Sequence, residues 1–125
     1  MSEEHVVFEL ERSALKRWCM GDPTGFLEIS ALEVTYFDPF LPQRLDGWDN
    51  LNSYYECLRG KVSVLHYEII NPQIQDLGDI AILTYNFVSQ VNDKRKLRWN
   101  CSEVYRRTAL GWKIIQTHWS LPQSS

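Results

Sequence analysis

Two carboxylates stand out because of the residues beside them. Asp38 follows Tyr36 by two positions, so in an extended strand their side chains share a face. Glu103 sits between Cys101 and Tyr105 on one side of an alternating run. A carboxylate held in an apolar setting is suited to shuttling a proton. Two of them entering one hollow would form an acid and base pair for enolisation, ring closure or dehydration. Each also has a plainer reading. Asp38-Pro39 can simply cap a turn. Burying an unpaired carboxylate is costly, so Glu103 must be paired (Arg98 or Arg44 are the candidates), protonated, or open to a water-filled space.

The stretch from Val64 to Ser120 must position these groups. It reads as about four long β-strands joined by turns at Gly78-Asp79, Asn92-Asp93 and Gly111. Ala81, Leu83, Tyr85 and Phe87 fall on one face, with Thr84 and Asn86 on the other and Ile82 as the exception. Trp99, Cys101, Glu103 and Tyr105 oppose Asn100, Ser102 and Arg106, while Ile115, Thr117 and Trp119 oppose Gln116, His118 and Ser120. The sheet thus has an aromatic and a polar face. Tyr85, Phe87, Trp99, Tyr105 and Trp119 either fill a core or line a ligand site. The polar face carries Ile82, Val88, Val104 and Ile114, which suits association with a second copy, and it places His118 at such an interface rather than in a pocket.

Everything before this meander reads as helical cover. Ser2 can cap a first helix that carries Val7, Leu10, Ala14 and Trp18 at helical spacing and stops at Gly21. Asp22-Pro23 opens a short helix that ends near Leu32, and Val34 to Phe37 forms an edge strand. After Asp46-Gly47 a third helix carries Trp48, Leu51, Tyr54, Tyr55 and Leu58 on its apolar stripe, with Gly60 at its end. Helices followed by antiparallel strands give an α+β arrangement with the helices on one side of a curved sheet. If they close its wide end, the result is a cone with a concave apolar interior.

Several segments resemble known cone domains. Ile69-Ile70-Asn71-Pro72 resembles a strand end in the association domain of calcium/calmodulin-dependent protein kinase II, and Ser102 to Arg107 followed by Gly111-Trp112 resembles its penultimate hairpin. Gln116 to Ser120 looks like its closing strand. Phe37-Asp38-Pro39-Phe40 and Asp46-Gly47 resemble the ketosteroid isomerase segment that carries the general-base aspartate, a match that implies Asp38 as the base. The resemblance is to the nuclear transport factor 2-like superfamily, which includes SnoaL-like cyclases, and it implies a cone-shaped curved antiparallel sheet packed against N-terminal helices, a cystatin-like roll. Phe87 and Glu103 stand where the kinase domain's pocket is rich in arginine, which argues against an anionic ligand. Ala14 falls where the isomerase carries its oxyanion-donating tyrosine, so the same chemistry would need Tyr36, Tyr55 or Tyr85.

Composition narrows the rest. A chain of 125 residues fits one domain, 1–125, with a real core. A net charge of -3 gives no footprint for nucleic acid or an anionic membrane, and the basic cluster Lys94, Arg95, Lys96 and Arg98 reads as a solvated turn. Three widely spaced cysteines and no signal peptide fit a reducing cytoplasm. His5 and His66 lack partners at metal spacing, so no metal is expected, and no cofactor or catalytic nucleophile is evident. The leading expectation is a homodimer or higher oligomer that binds a small, mostly apolar ligand. Asp38 and Glu103 are its catalytic candidates, and Tyr36, Tyr55, Tyr85, Phe87, Trp99, Tyr105 and Trp119 line its pocket. The alternative is a non-enzymatic oligomerisation module.

Overall fold

The computed structural model describes residues 5–123. Helix α1 (Val6–Cys19) is capped by His5, whose Nδ1 accepts from the Val7 amide at 3.0 Å. The cap expected at Ser2 lies outside the described residues. The buried side of α1 runs through Val7, Glu11, Ala14, Leu15 and Cys19, so a glutamate occupies a core position of the stripe. Helix α2 (Thr24–Glu28) is shorter than its pattern implied. The following residues pair with the sheet as β1 (Ser30–Phe37), four residues earlier than expected if counted from Val34. After β2 (Leu45–Asp46), helix α3 (Trp48–Leu58) precedes β3 (His66–Asp76), β4 (Ile80–Gln90), β5 (Lys96–Thr108) and β6 (Gly111–Ser120).

The six strands form one sheet in the order β2-β1-β6-β5-β4-β3. Every pair is antiparallel except β1 with β6. Strand β1 is therefore internal rather than an edge. Burial alternates along β4 and β5 as the side-chain period of two requires. Register shifts interrupt the pairing in three places, one of them in the β1–β6 pair between Ser30 and Thr35. In β6 the register shifts between Val104 opposite Gln116 and Tyr105 opposite Ile114, leaving Ile115 as the extra residue. The expected faces of this pair are exchanged as a result: Ile114 is fully buried on the inner face and Ile115 is only half-buried. In β3 the shift lies between Ile70 and Gln73, where Asn71 adopts φ 52° beside Pro72. The strand continues past this proline instead of ending there, and the bulge twists an edge strand away from uncontrolled pairing.

Inner-face rows run across the sheet. Ala81 lies opposite Tyr105, which lies opposite Ile114; Leu83 continues through Glu103 to Thr117; Tyr85 continues through Cys101 to Trp119; and Phe87 faces Trp99. The helices cover this face. Their ends are joined where the Gly60 amide donates to the Gly21 carbonyl at 2.9 Å, and the Asp22 carboxylate receives Arg17 Nε at 2.9 Å and Arg59 Nη1 at 3.0 Å.

Gly21 is held at φ +88°, and a Cβ there would lie 3.2 Å from the Gly60 Cα and the Val62 carbonyl oxygen. Gly78 has a similar φ of +96° but open space around it. Both alanine variants incur left-handed strain of about 1–2 kcal/mol. Only Gly21→Ala must also displace backbone, so urea denaturation should show it as the more destabilising of the two by about 1 kcal/mol or more. Equal losses would contradict the close approach.

Candidate functional site

The wide end of the cone encloses a cavity of about 460 Å³. Leu15, Trp18 and Cys19 of α1, Phe26 of α2, and Tyr54, Tyr55 and Leu58 of α3 form one wall. The facing wall is the sheet, with Tyr36 of β1, Phe87 and Ser89 of β4, Leu97 and Trp99 of β5 and Trp119 of β6. The rings brace one another. Trp119 packs edge-on against Tyr85, Phe87 and Trp99 at 6.0, 5.8 and 5.9 Å, and Trp18 lies 5.0 Å from Tyr55. Phe40, 68% exposed, leans from the β1–β2 loop onto Trp99 at 5.9 Å and forms part of the rim.

Asp38 lines this cavity just beyond the end of β1. Its Oδ2 accepts from the hydroxyls of Tyr36 at 2.9 Å and Tyr54 at 2.6 Å, and its Oδ1 accepts from the Phe40 amide at 2.9 Å. The shared face of Tyr36 and Asp38 explains the first bond. Helix α3 supplies the second, and the turn at Pro39 supplies the third, so Asp38 closes the turn and also faces the cavity. Burial and the neighbouring Asp38 charge push the hydroxyls of Tyr36 and Tyr54 above the ordinary tyrosine range, so both remain protonated donors.

Glu103 lies elsewhere. It is fully buried on the row between Leu83 and Thr117, behind the residues that line the cavity. Neither arginine reaches it: Arg44 pairs with Asp46 at 2.5 Å, and Arg98 is exposed. Glu103 faces Glu11 of α1, another fully buried carboxyl. Glu11 accepts from the Tyr85 hydroxyl at 2.5 Å and the Tyr105 hydroxyl at 2.6 Å, whereas among the described residues only the Thr117 hydroxyl, opposite on β6, approaches Glu103 as a donor. Two carboxyls cannot both ionise in such a site. Burial and then the Glu11 charge raise Glu103 well above the ordinary range; burial raises Glu11 too, but its hydrogen bonds oppose the shift. The proton therefore sits on Glu103, which donates it to Glu11.

The cavity thus brings together Asp38, Tyr36, Tyr55, Phe87, Trp99 and Trp119, and leaves Glu103, Tyr85 and Tyr105 outside its lining. Asp38 and Glu103 do not face a common space, because Glu103 lies toward the narrow end, where the side chains pack solid. His118 is exposed on the outer face, 5.1 Å from the Phe37 ring. Sequence reasoning missed Glu11 and Tyr54. Glu11 was detectable four residues after Val7 and four before Leu15, inside the apolar stripe; Tyr54 stood beside Tyr55, and only the helix orientation separates their roles.

Cys19 lines the cavity, but burial pushes its thiol up to about 11 and keeps it un-ionised. Among the described residues, Glu11, Cys101 and Glu103 bring potential metal-ligand atoms within 4.8 Å of one another. Burial raises the Cys101 thiol too, and Glu11 is already committed to two tyrosines, so this cluster is better suited to holding a proton than a cation.

Glu103 keeps its proton in the folded chain to a higher pH than in the unfolded chain. The stability that this proton provides is full below the ordinary carboxylate range and is lost as pH rises through the elevated folded value. Glu103→Gln supplies a donor that does not titrate. Its stability relative to the wild type should move in its favour by about 2 kcal/mol between about pH 5 and about pH 8, read from chemical denaturation. A pH-independent difference would contradict the shared proton.

The comparisons agree with this architecture. The sequence matches the calcium/calmodulin dependent protein kinase II association domain family over residues 3–123. A ketosteroid isomerase candidate from Parabacteroides distasonis ATCC 8503 is similar in structure with TM-score 0.86 and 39% identity, over 96% of this chain and 90% of that one. An NTF2-like protein from Pseudomonas putida KT2440 gives TM-score 0.84 at 18% identity, over 94% of this chain and 85% of that one. The CaMKII hub of S. rosetta gives 0.77 at 22% identity, over 97% of this chain and 100% of that one. A search of curated proteins found no match. With its α+β cone, its aromatic hollow and a family match spanning nearly all of its length, the chain belongs to the calcium/calmodulin dependent protein kinase II association domain family, within the NTF2-like fold.

Proposed function

We propose that this domain self-associates and binds a small, mostly apolar organic molecule in the hollow at its wide end, with Asp38 as the polar anchor. The observation that carries this reading is a cavity of about 460 Å³ whose wall is almost wholly apolar and aromatic apart from one tyrosine-held carboxylate. That combination of shape, apolar lining and a single oriented polar group is typical of ligand sites. The Tyr36 and Tyr54 hydroxyls both donate to Asp38, so turnover would have to draw its oxyanion donor from Tyr55, the remaining tyrosine of the lining. Self-association is supported by the family match and by the outer sheet face, where Ile82, Val88 and Val104 are half-buried around an Asn86 and Asn100 pair joined at 2.7 Å. A second reading, proton transfer by Asp38, rests on the 39% identity to the ketosteroid isomerase candidate.

The neutral dye Nile red should bind saturably at one molecule per chain, and Leu97→Trp, which fills the hollow, should abolish binding while leaving the fold intact by circular dichroism. Undiminished binding in that variant would overturn the assignment of the site. Isomerisation of a β,γ-unsaturated ketone that disappears in Asp38→Asn would instead establish the second reading. Native mass spectrometry should find a dimer or a larger assembly that His118→Glu weakens; a monomeric wild type would remove the self-association claim.

A further inference from the structure

The charge inventory of the hollow is lopsided. Half of the residues that line it are aromatic, and Asp38 is the sole ionisable acid or base among them apart from the tyrosines and the un-ionised Cys19: among the described residues no lysine, arginine or histidine lines the cavity. A carboxylate offers about four lone-pair positions, and Asp38 uses three of them on Tyr36, Tyr54 and the Phe40 amide. One acceptor position remains, and among the described residues no cation pairs with the carboxylate. A neutral apolar ligand would cover this carboxylate without pairing it, which is unfavourable. An anionic ligand would meet both the carboxylate and the negative faces of the rings. A cation satisfies both, because an ammonium can take the remaining lone pair of Asp38 while lying against the faces of Tyr36, Tyr54 or Trp99.

Building on the binding reading above, we propose that the ligand class of this hollow is an amphiphilic organic cation: an alkyl or arylalkyl amine whose ammonium docks at Asp38 and whose apolar body fills the space toward Phe87 and Trp119. The geometry sets the orientation. Asp38 lies just past the end of β1 near the exposed Phe40, so the charged group sits close to the rim and the hydrocarbon points inward. The ammonium thus keeps part of its hydration, which lowers its desolvation penalty.

The test is a matched series with one apolar body and three head groups: phenylbutylamine, phenylbutanol and phenylbutyrate, each titrated against Nile red on the wild-type protein near neutral pH. The amine should bind about tenfold or more tightly than the alcohol, with the carboxylate weakest. Asp38→Asn should bring the amine down to the affinity of the alcohol and leave the alcohol within about twofold. The wild-type ranking stands even if that variant fails to fold. If Nile red binds but the alcohol or the carboxylate equals the amine, the cation assignment falls while the binding site stands. If neither Nile red nor any member of the series binds, the binding reading falls and the cation assignment with it.

Discussion

A buried carboxyl cluster, hydrogen-bonded between α1 and the sheet, organises this molecule. Glu11 projects from the core-facing stripe of α1 and is met by hydroxyls from two strands and by the proton of Glu103 from one of them. Burying a carboxylate with no cation nearby is tolerable only when every lone pair is matched, so α1 can dock on the sheet in essentially one position. Specificity of this kind does not come from the burial of Val7, Ala14 and Leu15 alone, because the hydrophobic effect is non-directional. The arrangement makes the narrow end of the cone solid: Ala81, Leu83, Tyr105 and Ile114 are all fully buried there.

The same device appears again at the other end with a different outcome. Asp38, like Glu11, is a carboxylate that accepts from two tyrosines, but it is half-exposed and faces a cavity rather than a second carboxyl. One site is closed and serves the architecture; the other is open and retains an acceptor position. The difference arises from where each residue falls along the strands. On β4, residues up to Tyr85 pack under α1 while Phe87 and Ser89 face the hollow, and on β5 Leu97 and Trp99 do the same before Cys101 enters the packed region. A curved sheet diverges from its covering helices, and the aromatic side chains at the wide end are large enough to line the gap without closing it.

Much of this was legible in the sequence, and the failures have physical causes. The inner faces of β4 and β5 followed from strict alternation, because two neighbouring strands with one buried face allow no slip in register. The same argument misplaced Ile114 and Ile115 because one bulged residue reverses the alternation, and neither residue is of a type that marks a bulge. Strand β1 reads as an edge in the sequence because its neighbour β6 is distant along the chain and parallel, a pairing that local pattern does not reveal. Glu103 is anomalous in the sequence, where arginine pairing and protonation are both open, and only the fold brings Glu11 beside it. Charge complementarity is the usual solution for a buried carboxylate, and a second carboxyl sharing its proton is the rarer one.

The proposed function rests on a ligand binding in the hollow against Asp38 and the rings around it. Proton–nitrogen correlation spectra resolve the indole N–H of each tryptophan. Trp18, Trp99 and Trp119 line the hollow, whereas Trp48, which donates to the Leu27 carbonyl at 2.9 Å, and Trp112 do not. Titration with phenylbutylamine should shift the first three signals along saturable curves with one common affinity and leave the other two in place. Five unmoved signals, or shifts confined to Trp48 and Trp112, would contradict the account.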